Sequence, residues 1–585
     1  MDDVATDSDQ QQDQQQGQQE GRPQGQAVPQ QARAEGGQRL EGHGGTLAVA
    51  VARAHGVRTM FTLSGAHVFP MYDGAVTAEP PMPLVDVRHE QTAVFAAEAT
   101  AKLTRTPGLA VLTAGPGVTN GVSAVTTAHF NGSPLLVVGG RAPEFRWGTG
   151  ALQEMDHPPL LAPVTKRAAT VPSTAEIPAA VDEALRLATS PHRGPVFLDV
   201  AMDHLFSRAE VDLPRTVAAV PVAPDEDALD AAAAALAAAR RPVVVLGSDV
   251  WTDGAEGAAR ALVEDLGLPV VPNGMGRGVL GPAERLLVTR ARGRALGQAD
   301  VVVVVGTPLD FRLGYGQFGG KDGAAVATVV HVVDDASQLA GHVPLAAGVT
   351  GDLSLALDGL RGRVARRGPH PEVAGWAADL RAAHEAAVAA DADVLRSDAD
   401  PVHPARIYGE LVPMLADDAV VVGDGGDFVS FAGKYVEPGR PGTWLDPGPF
   451  GCLGTGLGYA IAARLAHPSS QVVLLFGDGA AGFSLMDVDT LVRHRLPVVM
   501  VVGNNGIWGL EKHPMQALYG YDVVADLTPQ CRYDDVVTAL GGAGEMVTRP
   551  EHLGAALDRA FAAGVPYLVN VVTDASVSYP RTTIL

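Results

Sequence analysis

The chain is poor in cysteine, aromatics and positive charge, and it has no long apolar run. Its two cysteines, Cys452 and Cys531, cannot build a disulfide framework and lack metal-site spacing, so the expectation is a cytoplasmic protein with no thiol nucleophile. Aromatic residues make up only 5% of the chain, which leaves Ala, Val and Leu to form the core. No stretch approaches the roughly 20 apolar residues that cross a bilayer, and the N-terminus shows no apolar signal core. Lys and Arg number 43 against 66 Asp and Glu, a formal charge of -23. That balance argues against a nucleic-acid or anionic-membrane partner, and an anionic substrate has to be met by local cations.

What is present points to a large soluble protein. The 585 residues are 46% apolar and 19% charged, with a mean hydropathy of +0.11, and the length suggests about three or four domains at roughly 150 residues each. Residues 1–43 are rich in Gln, Gly and acids. They carry too few apolar side chains to offset the entropy of ordering, so a disordered tail is expected there.

From Thr46 onward short Val/Leu/Ile runs alternate with Ala-rich helical patterns, the sign of parallel α/β domains. Three blocks separate. Residues 44–205 hold TMFTLSG, LAVLTAG, SPLLVVGG and PVFLDVA; residues 225–365 hold PVVVLGS, ADVVVVVG and VATVVHVVD. Residues 402–575 hold AVVVGDGG, QVVLLFGDG, PVVMVVGNNG and PYLVNVVTD. The fold class expected is three doubly wound parallel-sheet α/β domains. In the first and third blocks Gly-rich turns follow strands directly, at the carboxyl edge where open parallel sheets bind ligands.

Gly477 to Gly482 satisfy G-x-G-x-x-G after the strand QVVLLF, the pattern of a dinucleotide turn and hence of an NAD-dependent oxidoreductase. A dinucleotide fold needs Asp or Glu at the end of the next strand to hold ribose hydroxyls, and here that strand ends in Asn504-Asn505. A hard divalent cation wants oxygen ligands from one or two side chains and from phosphate. Asp478 and the Asn505 amide, at adjacent strand tips, supply such ligands. Gly477 and Gly479 leave room for a diphosphate against the backbone. The plainer alternative makes Asp478 a helix cap and Asn504–Gly506 a turn.

The pairing of GDG with NN, each after an apolar strand, resembles the thiamin diphosphate signature of the acetolactate synthase, 2-hydroxyacyl-CoA lyase and oxalyl-CoA decarboxylase superfamily. VDVRHEQTAVFAAEATAKLTRTPGLAVLTAGPGVTNGVSAV is similar to its pyrimidine-binding domain, and FGCLGTGLGYAIAARL to the segment that holds the cofactor bent. The resemblance implies Asp478, Asn505 and the Ile507 carbonyl as Mg²⁺ ligands, with Gly477, Gly479 and Ala480 at the diphosphate. It implies Leu453 under the bend, the Gly451 carbonyl facing the aminopyrimidine, and Glu90 at its N1′ nitrogen. His67 and His89 are expected to move protons or polarise a carbonyl, though relatives carry Pro near the first; Gln153 and Arg141 are further substrate-side candidates.

For the central block the resemblance offers either FAD, as in acetolactate synthases, or ADP or CoA, as in the CoA enzymes. RARGRALGQADVVVVVGTPLDFRLGYG is similar to the CoA-lyase pattern, and Arg290, Arg292 and Arg294 would offset the charge of CoA phosphates. The implied reaction is decarboxylation of a 2-oxo acid with transfer of the acyl-anion unit to a carbonyl. CoA-lyase chemistry is the alternative, and a cofactor-binding scaffold without turnover a further one. The implied active site spans two subunits, so at least a homodimer is expected, with a tetramer common among relatives.

Overall fold

The computed structural model describes residues 39–217 and 219–579. Among them, three parallel sheets form, each flanked by helices. The first sheet has the spatial order Leu84–Asp86, Met60–Thr62, Gly108–Leu112, Leu135–Arg141, Pro195–Ala201, Arg167–Val171. The third has Trp444–Leu445, Val420–Asp424, Val472–Gly477, Val499–Asn504, Tyr567–Val572, Ala543–Val547. Counted along the chain, both orders are the same, so one sheet plan occurs twice. Between them in sequence, a five-stranded sheet runs Val270–Pro272, Pro242–Leu246, Val301–Val305, Thr328–Val333, Ala347–Thr350.

The strands form where β-branched runs can be buried on both faces, as a helix-covered parallel sheet requires. Val301–Val305 is five valines, all buried. Parallel register puts the strand ends of each sheet along one edge, with Gly477 opposite Gly503. Among the described residues no helix is long and apolar enough to cross a membrane.

Residues 1–38 of the expected disordered tail lie outside the described residues. Its last five do not fit that expectation: Arg39–His43 is a strand, antiparallel to Arg208–Asp212. RLEGH has no apolar pattern of its own, and it is ordered by a partner far along the chain that supplies the backbone hydrogen bonds.

The first and third domains share one core, which runs from Phe61 and Phe95 to Leu457 and Phe476. At its centre the helix Glu90–Thr104 crosses the helix Thr455–Ala466. The crossing is close because Gly458 has no side chain: a Cβ there would lie 2.7 Å from Phe95 Cβ and 3.0 Å from the Thr92 carbonyl. Polar contacts fix the same seam. Asp487 accepts the Arg88 N–H at 2.8 Å and the Thr92 hydroxyl at 2.6 Å, and Arg493 donates twice to Asp86 at 2.8 Å.

Candidate active site

A cavity of about 500 Å³ opens at the carboxyl edge of the third sheet. The eight third-block residues that the resemblance assigns to cofactor and metal line it: Gly451 and Leu453, and with them Gly477, Asp478, Gly479, Ala480, Asn505 and Ile507. Asp478 follows the strand Val472–Gly477 and is buried. Its carboxylate accepts N–H bonds from Gly506 at 2.6 Å and from Gly479 at 2.9 Å. Burial nevertheless pushes its pKa up to about 6, against the pull of those donors. A cation beside it would offset that burial cost, and the oxygen-rich donor set of Asp478, Asn505 and the Ile507 carbonyl suits a hard ion such as Mg²⁺.

The two asparagines do different jobs. Asn504 donates to Asn570 Oδ1 and to the Cys531 carbonyl, both at 3.0 Å, and so ties its strand to the neighbouring one. Asn505 turns to the cavity, where its Oδ1 accepts the Ile507 N–H at 3.1 Å. The glycines also divide. The space beside Gly477 is open, as close approach by a diphosphate demands, whereas a Cβ on Gly479 would strike the Trp508 ring at 2.5 Å. Gly479 is therefore required by an aromatic neighbour that sequence reasoning did not anticipate.

The residues predicted in the first block sit at the carboxyl edge of their own sheet, away from this cavity. Glu90 opens the helix Glu90–Thr104, is 7% exposed, and accepts a hydrogen bond from Asn120 Nδ2 at 3.0 Å. His89 is exposed, and its Nδ1 accepts the Gln91 N–H at 3.2 Å, which makes it the cap of that helix. His67 is buried and shares a hydrogen bond with the Thr113 hydroxyl at 3.2 Å. Its pKa is lowered by burial, with His157 adding to the effect. Gln153 is half-buried with φ +61°, its backbone packed against Gly115. Arg141 is committed elsewhere: it bonds buried Asp199 at 3.0 Å and Asp156 at 3.1 Å and stacks on Trp147 at 3.6 Å. None of these five residues lines the third-domain cavity. Two contacts connect the domains there: Gln91 donates to the Leu453 carbonyl at 3.4 Å, and Gly454 lies against the Gln91 amide.

At the carboxyl edge of the central sheet, little space remains between the strand tips. The Asp249 N–H donates to the Gly306 carbonyl at 3.0 Å, and Asn273 donates to Thr307 at 3.1 Å. His192, from the first domain, bonds Asp334 at 2.9 Å, and Arg193 bonds Asp253 at 2.5 Å. His192, Asp249 and Asp334 bring ligand-type atoms within 4.8 Å of one another. The cavity between these tips is about 40 Å³, room for a few waters and not for a diphosphate. His192 also lines a wider cleft of about 630 Å³ outside them. The three arginines proposed for CoA have separate partners. Arg290 pairs with Asp391 and lies over Tyr435, Arg292 donates to the Arg312 carbonyl at 2.7 Å, and Arg294 reaches Gln298 at 3.3 Å.

Comparison with known proteins places this geometry. The N-terminal TPP binding domain of thiamine pyrophosphate enzymes matches residues 42–160, their central domain 229–360, and their C-terminal TPP binding domain 424–571. An acetolactate synthase large subunit of Mycobacterium tuberculosis is 51% identical over 92% of this chain and 97% of its own length. A probable acetolactate synthase of Mycobacterium bovis matches equally. The 2-hydroxyacyl-CoA lyase 2 of Mus musculus is 35% identical over 87% of this chain and 85% of its own. With its three domains matched in order and relatives aligned along nearly its whole length, the chain belongs to the thiamine pyrophosphate enzyme family.

Proposed function

We propose that this chain is a Mg²⁺- and thiamin diphosphate-dependent carboligase of the acetolactate synthase kind. It decarboxylates a 2-oxo acid and transfers the acyl-anion unit to a carbonyl acceptor. The observation that carries this reading is the meeting of Asp478 and Asn505 over a cavity walled by Gly451 and Leu453. The 51% identity to proteins named acetolactate synthase, against 35% to one named 2-hydroxyacyl-CoA lyase 2, supports the synthase side.

In this reading residues 44–205, 225–365 and 402–575 are the pyrimidine-binding, central and diphosphate-binding units. Asp478, Asn505 and the Ile507 carbonyl hold Mg²⁺, and the open side of Gly477 admits the diphosphate, with Gly479 and Ala480 beside it. Leu453 and the Gly451 carbonyl would support the cofactor's rings. When bound between these residues, thiamin diphosphate would supply a nucleophilic carbon and an electron sink for the pair released on decarboxylation. Glu90 holds a proton at the N1′ position of the aminopyrimidine. Because Glu90 faces Asn120 and not the cavity of its own chain, a second copy supplies it, so the working unit is a homodimer or homotetramer. His67, kept neutral by burial, is the first-domain group suited to accept a proton near the substrate. Both cysteines are unpaired and half-buried, in keeping with a reducing cytoplasm.

Purified protein supplied with thiamin diphosphate, Mg²⁺ and pyruvate should form acetolactate. With a 2-hydroxyacyl-CoA or oxalyl-CoA it should form no acyl-CoA product. Absence of acetolactate, with acyl-CoA products instead, would transfer the assignment to the CoA lyases.

A further inference from the structure

Asp424 ends the strand Val420–Asp424 and is completely buried. One carboxylate oxygen accepts the N–H of Gly456 at 2.8 Å, and both oxygens face the N–H of Gly454, at 3.1 and 3.2 Å. Those N–H groups open the helix Thr455–Ala466, whose first residues have no cap from their own segment. A buried carboxylate from a different strand thus does the work of a helix cap, with charge-assisted bonds that a neutral side chain does not match. Burial pushes its pKa up to about 7, a cost a fold keeps only where the bonds are needed.

The location shows what the bonds hold. Gly454 has φ +90° and directly follows Leu453, while Gly451, two residues before it, has φ +68°. The turn stands in the left-handed region at both ends and has no regular backbone ladder to fix it. On the other side, Gly425 follows Asp424 with φ +129°, and a Cβ there would lie 3.2 Å from the Gly477 nitrogen. The turns after Asp424 and before Thr455 both line the cavity. One carboxylate joins two of its walls.

We propose that Asp424 is the positioning residue of the Leu453 turn: by clamping the Gly454 and Gly456 N–H groups it sets how far Leu453 projects into the cavity and so how the cofactor is bent. This rests on the reading of Leu453 as the support of the bend. The carboxylate does not touch the reacting atoms and acts through the turn alone. Asp424→Asn keeps the shape and one acceptor oxygen, but removes the charge and sets an N–H₂ where the second oxygen faces the Gly454 N–H.

The test is a double-mutant cycle on the full-length protein with thiamin diphosphate and Mg²⁺. Asp424→Asn should weaken thiamin diphosphate binding about tenfold and lower kcat roughly 10–100-fold. KM for pyruvate should stay within about threefold, and far-UV circular dichroism should not change. Amide exchange at Gly454 and Gly456 should quicken in the cofactor-free protein. In a Leu453→Ala background the same substitution should add less than about threefold to either loss. Full additivity would overturn the proposal, as would unchanged amide exchange. If Leu453→Ala alone leaves binding and turnover at the level of the unmodified protein while Asp424→Asn still quickens exchange, the reading of Leu453 fails. The clamp then stands as a helix cap and not as a positioning residue.

Discussion

At the carboxyl edge of the third sheet, Gly477, Asp478 and Asn505 border about 500 Å³ of open volume; at the same edge of the central sheet, Asp249, Gly306 and Asp334 leave about 40 Å³. Both edges present buried carboxylates at or just beyond strand ends, and they differ in what answers the charge. Asp334 is met by His192 and Arg193, both from the first domain. Asp478 is met only by backbone N–H groups, and burial still raises its pKa. A parallel sheet therefore offers a ligand crevice by topology, but whether it remains one depends on whether the protein's own side chains fill it. Between the central strand tips a loop of the first domain has taken that place, and the open volume of about 630 Å³ lies outside them.

The contrast breaks most sharply at the two carboxylates. Asp478→Ala should abolish turnover and the thermal stabilisation given by thiamin diphosphate with Mg²⁺, read in a pyruvate assay and a melting curve. If that variant still gains stability from cofactor, the third-sheet edge is not the metal site. Glu90→Gln leaves both edges intact and should lower kcat by roughly 10²–10⁴-fold, with the cofactor still bound. Near-normal turnover in that variant would refute its role. Asp334→Ala should behave in the opposite way from Asp478→Ala: a loss of about 3–5 kcal/mol in unfolding free energy, with turnover per folded molecule retained.

Ligand additions sharpen the same difference at smaller scale. Thiamin diphosphate with Mg²⁺, at about 100 times its Kd, should stabilise the protein by about 2.7 kcal/mol, while FAD and ADP give no shift and the purified protein shows no flavin absorbance. A flavin spectrum would mean that a nucleotide occupies the cleft of about 630 Å³ outside the central strand tips. A further effect concerns pH. Burial pushes Asp249 up to about 7, with His192 opposing and Asp334 reinforcing the shift. Its folded pKa lies above the roughly 3.9 of an unfolded aspartate, so the folded state holds the extra proton between those values. Stability from this group is full below about pH 4 and is lost as pH rises through about 7. Asp249→Asn should flatten that decline in melting temperature between pH 4 and 8; an unchanged slope would show that Asp249 titrates normally.

The strands legible in the sequence were those with long buried runs, such as Val301–Val305 and Val499–Asn504. Leu84–Asp86 and Val270–Pro272 are three residues long, and Arg167–Val171 and Ala543–Val547 lie at sheet edges with mixed polarity, so local pattern gives little sign of them. The cavity wall was legible because strand, Gly-rich turn and polar residue occur in that order. What escaped depends on distant contacts: Asn504 turning to Asn570, Trp508 over Gly479, Arg141 held by Asp199. Asp424 was visible in VVVGDGGD, but its partners Gly454 and Gly456 stand some thirty residues on, and nothing local links them.

The crossing at Gly458 carries a consequence for how the protein tolerates change. The helix it belongs to begins just after Leu453, and the helix it touches begins at Glu90. Any side chain at that one position pushes both helices at once. Were Glu90 and the Leu453 turn to serve different centres, as proposed, the same push would reach both. Gly458 does not line the cavity, yet under the proposed two-subunit site a single codon there would detune both centres together.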